Sequence, residues 1–127
     1  MNMLDSIKGV LETLAEDAEY PMDGGVYYGV CNRQSLPEWN YFVFNRRNIT
    51  SENNHRFTDR YEIHIVHEDY IMEGYEIVVM KALRDAIPGL SIAGDITFDY
   101  VTRGDTQSVV EICNIPLKKA KKVDDGG

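Results

Sequence analysis

The chain is poor in cysteine and lacks any long uninterrupted hydrophobic run. Its 127 residues include only two cysteines, Cys31 and Cys113, which excludes the disulfide framework of small secreted domains. No segment approaches the roughly 18 consecutive apolar residues that a membrane-spanning helix requires. The opening stretch, MNMLDSIKGVLETLAED, has neither the basic region nor the continuous apolar region of a signal peptide. We therefore expect synthesis in the cytoplasm, free thiols and no membrane association.

Positive charge is also scarce. The chain has 13 Lys and Arg against 21 Asp and Glu, which gives a formal net charge of -8 and a pI of about 4.8. This balance disfavours general binding to a phosphate backbone, although it leaves room for a local basic patch. The hydrophobic fraction of 43% and the charged fraction of 27% are typical of one folded domain of this length.

Motifs for catalysis, cofactors and metals are missing. The chain has no Gly-x-Ser-x-Gly elbow, no Walker loop and no dinucleotide fingerprint, since GGVYYGV has the wrong spacing and leads into a strand. His64 and His67 are three residues apart in an apparent strand, so their side chains should point to opposite faces of the sheet. We expect no enzyme activity, no metal and no cofactor.

Helical and strand patterns alternate along the chain. Apolar residues recur every three or four positions in Met3–Glu19, with Asn2 placed as an N-cap, and again in Tyr70–Ala86, which predicts two amphipathic helices. Alternating patterns predict five strands: Val26–Cys31, Trp39–Phe44, Arg56–His67, Ile96–Thr102 and Gln107–Leu117. The order α-β-β-β-α-β-β predicts a single α+β domain over residues 1–117, with a mainly antiparallel sheet and both helices packed on one face. Residues 118–127 are predicted to form a polar flexible tail.

The connection after the second predicted strand is unusually long. Residues 46–57 are mostly polar and join two strands that should be neighbours, whereas hairpin loops usually need two to five residues. We interpret this segment as an arm used in contacts with a subunit or partner. Its candidate contact residues are Arg46, Arg47, Asn48, Ile49, Glu52, His55, Arg56 and Phe57. Trp39 and Tyr41 are weaker candidates, because both faces of their strand carry large apolar groups.

The local excess of arginine in this arm allows three interpretations. Arg46, Arg47, Arg56 and Arg60 could be solvated charges that prevent stray strand pairing. They could instead pair with an acidic patch of a neighbouring copy or of another protein. The third interpretation is contact with nucleic acid. The sequence leaves all three open.

Four stretches carry a resemblance to a known family. They are LDSIKGVLETLAED, EWNYFVFN with the polar loop that follows it, DRYEIHIVHED running into YIMEGYEIVVMKALRDA, and the closing pair DITFDYVT and VVEICNIPL. Together with the length and the element order, over about residues 3–117, they resemble the tail terminator or tail-completion proteins of long-tailed bacteriophages, a group that includes minor tail and head-tail joining proteins.

The resemblance implies a structural virion protein, made in the host cytoplasm and located in the tail or neck. In that family a small α+β protomer forms a homo-oligomeric ring, usually a hexamer, which caps the tail tube and meets the head connector. DNA passes through the ring without sequence-specific binding, and an acidic protein suits such a lumen. No catalytic residue is carried over. The alternative from another class is a soluble bacterial α+β binding or regulatory module with a protein or small-molecule partner.

Overall fold

Two helices and six strands make up the fold. The computed structural model describes residues 2–31, 39–104 and 107–122. In chain order the elements are α1 (Met3–Ala15), β1 (Val26–Tyr28), β2 (Asn40–Ser51), β3 (Arg56–Glu68), α2 (Tyr75–Ala86), β4 (Ser91–Ile92), β5 (Thr97–Thr102) and β6 (Val109–Lys122). The prediction of a single α+β domain with two helices and a mostly antiparallel sheet is confirmed, and the two-residue strand β4 is an addition to it.

Both helices are shorter than their apolar periodicity predicts. The side chain of Asn2 caps α1 as expected, accepting a hydrogen bond from the Asp5 N–H at 2.8 Å. The helix ends at Ala15, whose carbonyl accepts from Met22 N–H as the chain turns back. The second helix begins only at Tyr75, because Gly74 adopts a left-handed φ of 90° that a helical residue cannot have.

The sheet has the strand order β1-β2-β3-β6, and both β4 and β5 pair with the outer side of β6. β1 lies parallel to β2, with Val26 opposite Phe42, while all the other pairs are antiparallel. β1 stops after Tyr28, where Gly29 takes a positive φ of 80°. The longest pairing, between β3 and β6, runs from Arg56–Lys122 to Glu68–Val110 and forms the centre of the sheet.

One face of the sheet and both helices enclose the core. In the central parts of the three long strands, residues at every second position are buried, as the alternation predicts. They pack with the apolar stripes of α1 and α2 in one cluster that includes Phe42, Phe44, Tyr61, Ile63, Ile65, Cys113, Ile115, Leu117, Ile7, Leu11, Val79 and Leu83. Burying each of the larger side chains contributes about 1.5–3 kcal/mol relative to leaving it exposed. Within the described ranges, no helix combines the length and apolar character that a membrane span needs.

The predicted long loop is wrong. β2 continues to Ser51 and β3 begins at Arg56, so only residues 52–55 form the turn. The register shifts once, between Arg46 and Asn48, which places Arg47 in a β-bulge. The sequence does not reveal this strand pair, because residues 46–57 are mostly polar and show no apolar alternation.

The predicted tail boundary also differs from the structure. Residues 118–122 do not leave the domain after Leu117 but continue strand β6, where they pair with Arg56–Arg60 of β3. Residues 123–127 lie outside the described residues. The start of β3, at Arg56, was predicted correctly from the sequence. The sequence pattern did not show that residues 118–122 pair with this part of β3.

The two cysteines are unpaired thiols in very different surroundings. Burial raises the pKa of the Cys113 thiol from 9.0 to about 12, and Cys113 has no exposed surface. We expect a thiol reagent at pH 8 to label native protein once, at the half-buried Cys31, and to label Cys113 only after denaturant is added. Cys31→Ser should abolish the native labelling, and equal labelling rates at both positions would contradict this placement.

Candidate functional site

The predicted contact segment is part of a three-stranded extension of the sheet. We call this extension the arm and define it as residues 46–60 of β2, the turn and β3 together with residues 118–122 of β6. Arg60 lies opposite both Asn48 and Lys118, so the three strands are aligned across it. A hydrogen-bonded arm of this kind presents side chains at fixed positions, which a flexible loop does not.

Three of the predicted contact residues lie beside the start of α1. Arg46, Asn48 and Ile49 line a groove together with Met3 and Leu4. Ile49 is 56% exposed although it is aliphatic, and it faces Asp59 across the strand pair. This groove therefore offers a small apolar surface with positive charge at its border.

Three further predicted residues lie nearer the tip. Glu52, Arg56 and Phe57 line a second groove that residues 120–122 of β6 complete. Glu52 accepts a hydrogen bond from the Thr58 hydroxyl at 3.3 Å. His55 is in the turn itself, where its N–H donates to Asn53 Oδ1 at 2.8 Å, so the turn is held by its own side chains.

Arg47 stands apart from both grooves. The bulge directs its guanidinium to Glu62, with 3.4 Å between Arg47 NH1 and Glu62 Oε1. The Arg47 side chain is 63% exposed, so this ion pair contributes little to stability. Seven of the eight predicted residues thus fall into two grooves and one ion pair, and the eighth, His55, lies in the turn.

The sequence prediction missed the lysines of the arm. Lys118, Lys119, Lys121 and Lys122 were assigned to a flexible tail, yet they lie directly beside β3. Lys121 pairs with Asp59 at 3.1 Å, and Lys119 donates to the Pro88 carbonyl at 3.1 Å. A run of lysines is equally typical of a solvated chain end, so no signal in the sequence identified this strand.

The two histidines in β3 point to opposite faces, as their spacing predicts. His64 lies between two asparagines, with its Nδ1 2.7 Å from Asn114 Oδ1 and its Nε2 3.1 Å from Asn45 Oδ1. Asn114 donates onward to Asp99 at 2.8 Å, so polar side chains cross four strands. Such a chain of hydrogen bonds fixes the register of the sheet.

His67 serves the other face, where its ring stacks on Tyr20 with 5.3 Å between the ring centroids. Among the residues that the structure describes, no group of three or more His, Cys, Asp or Glu side chains could hold a metal ion.

Trp39 and Tyr41, the weaker candidates, have partners within the chain. The Arg103 guanidinium lies 5.6 Å from the centre of the Trp39 ring and forms an ion pair with Glu68. Glu68 also accepts from the Trp39 N–H at 3.1 Å. Tyr41 meets Tyr27 edge to face at 5.7 Å between centroids, and burial raises the pKa of its phenol. These contacts order the face of the sheet opposite the helices.

Strand β5 is an exposed edge. All six of its residues are exposed, and the apolar ones are Phe98, Tyr100 and Val101, at 41%, 63% and 42%. The Arg103 N–H donates to the Ser108 carbonyl of the neighbouring chain segment. In an antiparallel ladder the backbone groups of successive residues point alternately to the two sides, so those of Val101 point toward β6. The backbone N–H groups of Phe98 and Tyr100 therefore point outward. No described strand pairs with that side.

Long, apolar, uncharged edges are places where a second chain can join a sheet, and proteins usually protect them. Asp99 is the single charge in β5. Tyr100 is anchored by its hydroxyl: the hydrogen bond to the Glu111 carboxylate raises the pKa of the phenol. This hydrogen bond joins β5 to β6 at one opposed pair of the ladder.

Comparison with known proteins gives little further information. No family model matches the chain, and no curated protein matches it. A solved structure superposes on 97% of this chain and 96% of its own with a TM-score of 0.49, at 10% sequence identity. A superposition this loose carries no argument about function.

Proposed function

We propose that this protein is a structural assembly protein of a phage virion. It forms a ring of about six copies that caps the tail tube, joins the tail to the head connector, or does both. The observation that carries the proposal is the exposed edge of β5, a six-residue strand with outward backbone groups and three exposed apolar side chains. An edge of this kind adds a strand from another chain by main-chain hydrogen bonds. In a finished tail that neighbour is the tube protein.

The arm gives a second line of support. It continues β2, β3 and β6 lengthwise past their core residues, and its exposed side chains include Ile49 and several cations. A projecting arm of this kind joins one surface of a protomer to a different surface of its neighbour, which is the geometry that closes into a ring. The net charge of -8 keeps DNA from adhering to the ring through which it passes.

The proposal is tested by assembly with tail tubes. Purified protein, alone and with purified tubes, is measured by light scattering coupled to size-exclusion chromatography and imaged by negative-stain electron microscopy. We expect rings of about six copies, free or at one end of each tube. A protein that stays monomeric at high concentration and leaves tube ends bare would overturn the proposal.

The role of β5 is tested by a matched pair of substitutions. Tyr100→Pro removes the ring, its bond to Glu111 and the outward N–H, whereas Tyr100→Ala removes only the first two. We expect Tyr100→Pro to bind tube ends about tenfold more weakly than Tyr100→Ala, because one main-chain hydrogen bond of about 1.4 kcal/mol is lost. Equal binding by both variants, with unchanged circular dichroism, would exclude strand addition at this edge.

A further inference from the structure

The charge of the chain is divided between two parts of the molecule. The arm, residues 46–60 and 118–122, holds eight of the 13 Lys and Arg but only two of the 21 Asp and Glu, Glu52 and Asp59. The arm therefore carries +6 and the rest of the chain carries -14, which together give the net -8. An overall acidic protein thus contains one strongly basic extension.

Within the arm, cations oppose cations across the strands. Arg56 lies directly opposite Lys122, and Arg60 directly opposite Lys118, so all four share one face of the sheet. We call this surface the basic face. Like charges at directly opposed positions destabilise a strand pair.

One carboxylate, Glu52, reaches the basic face, where it accepts from the Thr58 hydroxyl between Arg56 and Arg60. Arg60 donates to the Thr50 hydroxyl at 3.2 Å, and no ion pair joins Arg56, Arg60, Lys118 or Lys122 to a carboxylate in the part of the chain that the structure describes. On the other face of the arm, by contrast, Lys121 is paired with Asp59. Four cations against this one carboxylate leave the basic face with an excess of positive charge.

An acidic surface lies at the end of α1. Glu12, Glu16, Asp17 and Asp23 are exposed and line one groove beside Met22 and β1, and residues 9–32 contain no lysine or arginine. We call this the acidic groove. The C-terminal end of a helix already carries partial negative charge, so carboxylates there are unfavourable, and α1 has no basic residue in its last turn to offset them.

Within one molecule, the arm and the acidic groove lie at opposite ends of α1. The start of α1 lies against the arm, where Met3 and Leu4 share a groove with Arg46, whereas the acidic groove lies at the other end of the helix. At 1.5 Å per residue, the two ends of α1 are about 18 Å apart. Charges separated by more than the Debye length of about 8 Å at physiological salt are largely screened from each other.

We propose that the basic face of the arm docks into the acidic groove of a second copy of this chain. Both surfaces are locally unfavourable in the free protomer, and each supplies the charge that the other lacks. The contact joins two different surfaces, so it propagates head to tail and closes into a ring where the rotation between neighbours allows. The inference rests on the proposed function, because it names the contact between neighbours in the ring.

Charge reversal with cross-complementation tests the contact. The arm variant is Arg56→Glu, Lys118→Glu and Lys122→Glu, and the groove variant is Glu12→Lys, Glu16→Lys and Asp23→Lys. Arg60 and Asp17 are left unchanged, because the first binds Thr50 and the second accepts from the Glu19 N–H. Circular dichroism checks the fold of each variant, and the control is Lys81→Glu with Arg84→Glu, which reverses exposed charges on α2 outside both surfaces.

Each variant alone should associate roughly 100-fold more weakly than wild type, because attraction is replaced by repulsion at the contact. An equimolar mixture of the two should restore ring mass in light scattering, since a negative arm then meets a positive groove. The control should assemble like wild type.

The outcomes separate this inference from the proposed function. If the wild type forms rings and either charge-reversed variant forms them equally well, the arm-groove contact is wrong and the ring function still stands. Loss of assembly without rescue in the mixture would also overturn it. Intact rings combined with duplex DNA binding that only the arm variant loses would assign the basic face to nucleic acid instead. A wild type that never assembles, with or without tubes, would overturn both proposals.

Discussion

Replacing Phe42 by alanine lowers the free energy of unfolding by about 3–5 kcal/mol, the range for removing a buried aromatic ring. Phe42 has no exposed surface, lies opposite Ile65 in the sheet and stacks on Tyr75 with 6.3 Å between ring centroids. The ring thus joins β2, β3 and α2, and the cavity left behind cannot be filled by one neighbour. Urea unfolding followed by circular dichroism measures the change.

The exposed Ile49 supplies the control for this measurement. It is in the same strand but 56% exposed, so Ile49→Ala should change stability by no more than about 0.5 kcal/mol. Phe42→Leu, which keeps most of the volume, should fall between the two. A loss below about 1 kcal/mol for Phe42→Ala would show that the ring is not enclosed as described.

The second large effect is expected at Gly24, where a methyl group has no room. An added Cβ would lie 2.8 Å from the Asn40 carbonyl oxygen and 3.0 Å from Tyr41 Cβ. The Gly24 N–H also donates to the same carbonyl at 2.9 Å, so the turn before β1 is held tightly against the start of β2. We expect Gly24→Ala to destabilise the protein by about 1–3 kcal/mol, the usual range for overpacking.

Gly9 provides the same substitution with the opposite expected sign. It lies within α1, and an added Cβ there would meet nothing within 4 Å. Gly9→Ala should stabilise the protein by about 0.5–1 kcal/mol, because alanine loses less backbone entropy in a helix. Thermal and urea unfolding of both variants compares the two, and effects of the same sign would contradict the close approach at Gly24.

The periodic parts of the fold could be predicted from the sequence because each has a buried face. The apolar stripes of α1 and α2, the alternation of Tyr61, Ile63 and Ile65, and the opposite orientations of His64 and His67 all follow from where the core lies. The ends of the helices and strands could not be predicted from the sequence. Gly74 and Gly29 interrupt patterns that continue past them, and a left-handed backbone at these glycines does not change the hydrophobic periodicity.

The candidate site was predicted only in part. The composition of residues 46–57 marked them as a contact segment, and that role stays a prediction. Their predicted conformation was wrong, because the strands of the arm are mostly polar and show no apolar alternation. The exposed edge of β5 could not be predicted from the sequence either. Alternation in Thr97–Thr102 predicts a strand, but it does not show whether another strand covers its outer side.

The sequence by itself determined the class of the fold, the two amphipathic helices and the faces of the core strands, because local periodicity and burial are linked residue by residue. Only the tertiary structure decided that β1 runs parallel to β2, that Lys118–Lys122 lie beside Arg56–Arg60, and that the arm and the acidic groove lie at opposite ends of α1. These features depend on which distant segments pair. Pairing is set by the packing of the whole chain, and no local pattern records it.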